Sequence, residues 1–106
     1  MTNGFNSEHW NDENGNPAGG STFGNGFAIS WQNGPLGRDE ERKEPNGAFV
    51  EDIIGAALDR LNYYNDSRFA CKENEDAIDS LNAAMDALEK RTASRESREV
   101  EGTHVV

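Results

Sequence analysis

In the second half of the chain, apolar residues recur at steps of three and four, the spacing that lines one side of a helix. Val50, Ile53, Ile54, Ala57, Leu58, Leu61 and Tyr64 form a first stripe, which predicts a helix over about residues 47–64. Asn46 is placed to cap it, and Glu51 and Asp52 fall in its first turns, where negative charge suits the helix dipole. Gly55 weakens such a helix by up to about 1 kcal/mol relative to Ala, but beside the stripe it can also admit a close neighbour. Asn65-Asp66-Ser67 reads as a turn, with Asp66 or Ser67 capping the next helix. A second stripe runs from Cys71 through Asn74, Ala77, Ile78, Leu81, Ala84 and Met85 to Leu88, while Asp76, Asp79, Asp86 and Glu89 point away. It predicts a helix beginning near Arg68. Continued through Arg91, Arg95 and Arg98, this helix has about thirty residues and a length of roughly 45 Å, against about eighteen residues for its partner. The excess is expected to lie against another subunit or to fray.

The first half carries a different pattern. Phe27, Ile29 and Trp31 alternate with small or polar residues, the period of a half-buried strand. Asn33-Gly34 is a hairpin or tight-turn signal and Pro35 fixes the exit, so Leu36 to Arg38 is expected to return as a short strand. Phe5 to Trp10 reads as a further strand with poor alternation. The turn formers from Asn11 to Gly26 read as a flexible linker, and the charge run Asp39 to Glu44 as a solvated loop. The predicted class is α+β: about two to four short antiparallel strands, then two antiparallel helices. One domain is expected over 1–106, with loops and strands in 1–46, a helical hairpin in 47–98 and a tail in 99–106.

Composition narrows the function. At 106 residues and 34% hydrophobic content the core is thin, and such chains often complete their cores by self-association. Twenty acidic against ten basic residues argue against nucleic-acid polymers and against anionic membrane surfaces. No apolar run approaches the roughly 18–20 residues of a membrane span, and no basic-then-apolar leader opens the chain. A single cysteine, Cys71, cannot form an internal disulfide, which points to the cytosol. His9 and His104 lie far apart, no phosphate-cradling loop leads into a Lys-Ser/Thr helix start, and Gly24-Asn25-Gly26 precedes a strand instead of following one. No catalytic residue, metal ligand or cofactor site is expected, and an enzyme is not predicted.

A few residues suggest binding. Arg91, Arg95 and Arg98 share a helical spacing, and guanidinium forks grip phosphate or carboxylate oxygens in pairs. The plainer reading is a solvated face pairing with Glu96, Glu99 and Glu101. Asn74 stands where the stripe calls for an apolar residue, so its amide either bonds backbone near the helix start or faces a ligand. Tyr63 and Tyr64 end the first helix, as core caps or as platforms for a purine. Phe69 has the same two readings with more weight on the core, and Arg38 is expected to be an exposed loop arginine.

The segments Gly26 to Gly37, Pro45 to Ile54, Phe69-Ala70-Cys71, Arg91 to Arg95 and Glu101 to His104 resemble the first-described type of Thoeris anti-defence proteins of phages. The resemblance spans roughly residues 20–104. It implies an N-terminal antiparallel sheet and two C-terminal helices, assembled as homodimers that can build into hexamers. It also implies sequestration of small cyclic nucleotide signals, the glycocyclic ADP-ribose isomers, without cleavage, in pockets at the dimer interface. Some members hold cyclic di- or trinucleotides at separate sites. The family's pocket aromatic, asparagine and paired arginines would fall at Tyr64 (or Tyr63), Asn74, Arg91 and Arg95, with Arg38 a further phosphate contact. The site of action would be the cytoplasm of the infected bacterial host. The alternatives are an acidic DNA mimic or helical adaptor that occupies a host protein, for which the carboxylate-rich face speaks, and a structural oligomer without a ligand.

Overall fold

The computed structural model describes residues 3–106, which divide into two compact units. One comprises the chain up to Phe49 together with Glu99–Val106, and the other is Val50–Arg98. The described strands of the first unit form an antiparallel sheet in the order β1 (Phe5–Asn11), β2 (Pro17–Gly24), β3 (Phe27–Trp31). Together with the two helices of the second unit this is the α+β arrangement expected.

The middle strand lies inside the segment that composition marks as linker. Its glycines permit this, because they let backbones approach where a side chain would not fit. A Cβ on Gly20 would run into the Glu8 carbonyl oxygen, and one on Gly19 would come within 2.9 Å of the Asn33 Cβ. Gly20 therefore pairs with His9 on one side and Trp31 on the other. The polar residues of β2 serve the sheet as well. Thr22 accepts a hydrogen bond from the Trp31 indole at 2.9 Å, and its hydroxyl lies 2.8 Å from that of Ser7. The two-residue hairpin turn is Asn25-Gly26, between paired Gly24 and Phe27, with Gly26 at positive φ. Asn33-Gly34, the expected hairpin, ends β3 instead.

No strand returns at Leu36 to Arg38. That stretch is loop, Asp39–Glu41 forms one exposed 3-10 turn, and the edge of β3 is extended by a parallel bridge between Trp31 and Ala48. The Gln32 amide donates to the Ala48 carbonyl at 3.0 Å, and the Ala48 amide to the Ser30 carbonyl at 2.7 Å. Asn46 is occupied here and does not cap a helix. Its side chain accepts from the Asn33 amide at 2.8 Å and donates to the Asn33 carbonyl at 3.0 Å. The final segment, expected to be a tail, is docked at its start. The Gly37 amide donates to the Gly102 carbonyl at 2.8 Å, and Arg42 Nη1 meets Glu101 Oε2 at 2.6 Å.

In the second unit, α1 (Val50–Asn65) and α2 (Lys72–Ser97) pack as a hairpin. Both start later than predicted, α1 at Val50 instead of about residue 47 and α2 at Lys72 instead of near Arg68. The Ser67 hydroxyl instead closes a turn, donating to the Tyr64 carbonyl and accepting from the Phe69 amide at 3.1 Å. The Cys71 amide donates to the Asn65 side chain at 3.2 Å, and α2 begins at the next residue. Glu51 and Asp52 do stand in the first turn of α1. No apolar residue of either helix is buried, so the two stripes together leave a partly open seam. No described helix is long and apolar enough to cross a membrane.

Gly20 and Gly55 are expected to respond to alanine in opposite directions. Gly20→Ala has no room for its Cβ and should cost about 2 kcal/mol or more. At Gly55 a Cβ would meet only the Met85 methyl at 4.0 Å, so Gly55→Ala should add about 0.5–1 kcal/mol. Urea unfolding of both variants checks the pair.

Candidate functional site

The turn end of the hairpin gathers exposed aromatic rings and arginines. Arg60 precedes Tyr63 and Tyr64 by three and four residues, so all three share one helical face. The Arg60 Cζ lies 5.0 Å from the Tyr63 ring centroid and 4.7 Å from that of Tyr64, within cation–π range of both. The two rings meet edge-on with centroids 5.9 Å apart. Arg68 Cζ stands 4.6 Å from the centroid of Phe69 in the following turn. All three rings are exposed, Tyr63 at 64%, Tyr64 at 41% and Phe69 at 62%, so none is a core residue of this unit. Neither Arg60 nor Arg68 forms an ion pair among the described residues. Tyr64, through the hydrogen-bonding capacity and Coulombic pull of its side chain, raises the pKa of Arg60 above its usual value.

Asn74 lies in the first turns of α2, half-buried on the stripe. Its amide nitrogen donates to the Phe69 carbonyl at 3.2 Å, the backbone bond of the plainer reading. The same bond fixes the side chain beside the aromatic turn, and the amide oxygen has no partner among the described residues. Tyr64, Asn74 and Arg60 are therefore brought to one end of the hairpin.

Arg91 and Arg95 are not at that end. At about 1.5 Å rise per residue, Asn74 and Arg91 are separated by roughly 25 Å of continuous helix. The two arginines are also unlike each other. Arg91 is exposed and has no polar partner among the described residues, whereas Arg95 is 7% exposed and already engaged by its own chain. Arg98 is the C-cap of α2, its amide bonded to the Ser94 carbonyl at 3.1 Å. Of the acidic partners foreseen for the trio, Glu101 is taken by Arg42 at 2.6 Å. Arg38 belongs to the other unit, where its Nη1 donates to the Glu101 carbonyl at 3.1 Å. It is half-buried and holds the backbone at Glu101, where its sequence setting predicts an exposed loop arginine.

The aromatic–arginine arrangement offers flat faces for a base, and Arg91 offers free donors for an anion. The described residues include no cluster of His, Cys, Asp and Glu suited to a metal ion. Sequence reasoning misses Arg60, although its three- and four-residue spacing to two tyrosines is visible there. The burial of Arg95 has no sequence signal, since helical spacing alone treats it like Arg91.

Two comparisons bear on this arrangement. Residues 25–93 match the family described as "Acb2/Tad1, hairpin domain". A protein of Bacillus phage SBSphiJ7 named "Thoeris anti-defense 1" is 43% identical over 76 residues, covering 72% of this chain and 51% of the relative. The chain thus spans about half the length of that relative.

The contrast between the two arginines has a measurable consequence. Arg91→Ala should change the unfolding free energy by no more than about 0.5 kcal/mol, as exposed positions do. Arg95→Ala removes a buried, engaged side chain and should cost more than about 1 kcal/mol in urea denaturation.

Proposed function

The chain belongs to the Acb2/Tad1 hairpin-domain family, and from that premise we propose that it is a phage anti-defence protein that sequesters immune signalling nucleotides without cleaving them. The ligands are glycocyclic ADP-ribose isomers, each with an adenine for an aromatic face and a pyrophosphate for guanidinium groups. Cyclic di- or trinucleotides are further ligands, held at a separate site. The protein acts in the cytoplasm of the infected host.

The observation that carries this reading is the separation of the site residues along one rigid helix. Tyr64 and Asn74 stand at the turn end, and Arg91 lies roughly 25 Å away along α2. A single hairpin cannot close these groups around one small molecule. Two hairpins laid head to tail can, with the turn end of one copy meeting the arginine end of the other. The partly open apolar seam favours the same association, because covering it removes apolar surface from water. The working form is accordingly a homodimer, which can build into a hexamer.

In such a pocket Tyr64 stacks on the adenine, the Asn74 amide oxygen accepts from the ligand, and Arg91 grips the pyrophosphate. Arg95 adds a donor from a fixed position. To hold a scarce signal the complex needs a dissociation constant of about 1 μM or below, or roughly −8 kcal/mol. A stacked base contributes on the order of 1–3 kcal/mol, and charge-assisted bonds supply comparable amounts.

Calorimetry with a cyclic ADP-ribose isomer should show tight binding to the wild type and affinity weakened about tenfold or more in Asn74→Ala and Arg91→Ala. Heating the saturated complex should return the signal chemically intact. Release of hydrolysed product, or flat titrations of the wild type, would overturn the proposal.

A further inference from the structure

Among the described residues no ion pair ties Arg60 to the facing helix. The side chain is exposed and lies on a helix without a buried residue. In a chain of net charge −10, this arginine settles over two tyrosines and makes no direct ion pair among the described residues, with the Asp59 carboxylate only a nearby charge. From this geometry we infer that Arg60 is a positioning residue for the nucleotide site: its guanidinium occupies one face of Tyr64 and leaves the opposite face as the sole platform for the base. This rests on the function proposed above.

Three physical effects act together. A guanidinium 4.7 Å from the Tyr64 centroid covers one face of the ring, so a purine can stack only on the other. The same group lies 5.0 Å from the centroid of Tyr63, and the two rings stand at 61° to each other. Arg60 thereby couples the rings, and an exposed tyrosine that would otherwise sample several rotamers is held in one. Finally, a cation behind the stacked ring draws electron density away from it, which favours contact with an electron-rich adenine carrying phosphates. The same geometry decides between the two tyrosines. Tyr64 is closer to the guanidinium and is the less exposed of the two, so it is the pre-organised platform, and Tyr63 is its buttress.

A double-mutant cycle tests the inference. Arg60→Met, Arg60→Lys, Tyr64→Leu, the double variant Arg60→Met/Tyr64→Leu and Asn74→Ala are titrated calorimetrically with a cyclic ADP-ribose isomer. Near-ultraviolet dichroism of the ligand-free proteins reports the tyrosine environment. Arg60→Met is expected to weaken binding about five- to tenfold, because a ring no longer held in place must give up its rotamer freedom when the ligand binds. Arg60→Lys, which keeps the charge but loses the planar stack, should recover part of that loss. In the Tyr64→Leu background Arg60→Met should have no further effect, because its action passes through the ring. The tyrosine dichroism should fall in Arg60→Met while the far-ultraviolet spectrum keeps its helical signal. Equal losses from Arg60→Met in both backgrounds would mean that the guanidinium touches the ligand directly, which overturns a positioning role. Wild-type affinity in Arg60→Met beside a weakened Asn74→Ala would overturn it too, and would leave the proposed site standing. Failure of the wild type to bind any isomer would remove both.

Discussion

The chain has too little apolar material to hold itself together by burial. Among the described residues Leu36 is the one hydrophobic side chain withdrawn to 9% exposure. In the sheet unit its place is taken by backbone hydrogen bonds at close range, made possible where glycine replaces a side chain. Gly20 sits against Glu8, and Gly47 lies so close to the Trp31 backbone that a Cβ would come within 2.6 Å of it. Around these contacts, amides from Gln32, Asn33 and Asn46 tie the strand edge to the chain leading into α1. An assembly of this kind depends on geometry being right everywhere, since no deep core compensates for a lost bond.

The helical unit answers the same shortage differently. Its stripes are matched in spacing but not covered, and its two ends carry different chemistry. One end holds rings and an amide, and the other holds arginines of which one is free and one is buried. Helix rigidity keeps these ends apart. That separation is the ground for proposing a site shared between two copies.

How much of this the residues disclose depends on how local the cause is. The stripes of α1 and α2 and the alternation of Phe27, Ile29 and Trp31 are local, and each marks a real element. Strand β2 is not local. Its Gly-Gly centre has low strand preference and becomes a strand because neighbours on both sides need a residue without a side chain. Asn46 and Asn25-Gly26 show the same limit. Both carry the right chemistry for a cap or a turn, but which asparagine does which is decided by partners elsewhere in the chain. The docking of Glu101 on Arg42 joins residues far apart in sequence, and no periodicity announces it. At the candidate site, the helical spacing of Arg60 to Tyr63 and Tyr64 is open to view, while the difference between Arg91 and Arg95 requires the fold.

The unbroken run of α2 between Asn74 and Arg91 also sets what kinds of sequence change the family member can absorb. One inserted residue would turn everything beyond it by about 100° and swing the arginines to another side of the rod. Seven inserted residues would nearly restore the facing but displace it by about 10 Å. The loop from Asp12 to Asn16 carries no helical phase, and its length bears instead on the register of β1 against β2. Length variation among related chains should thus concentrate in turns, with the stretch between amide and arginine kept to a constant register.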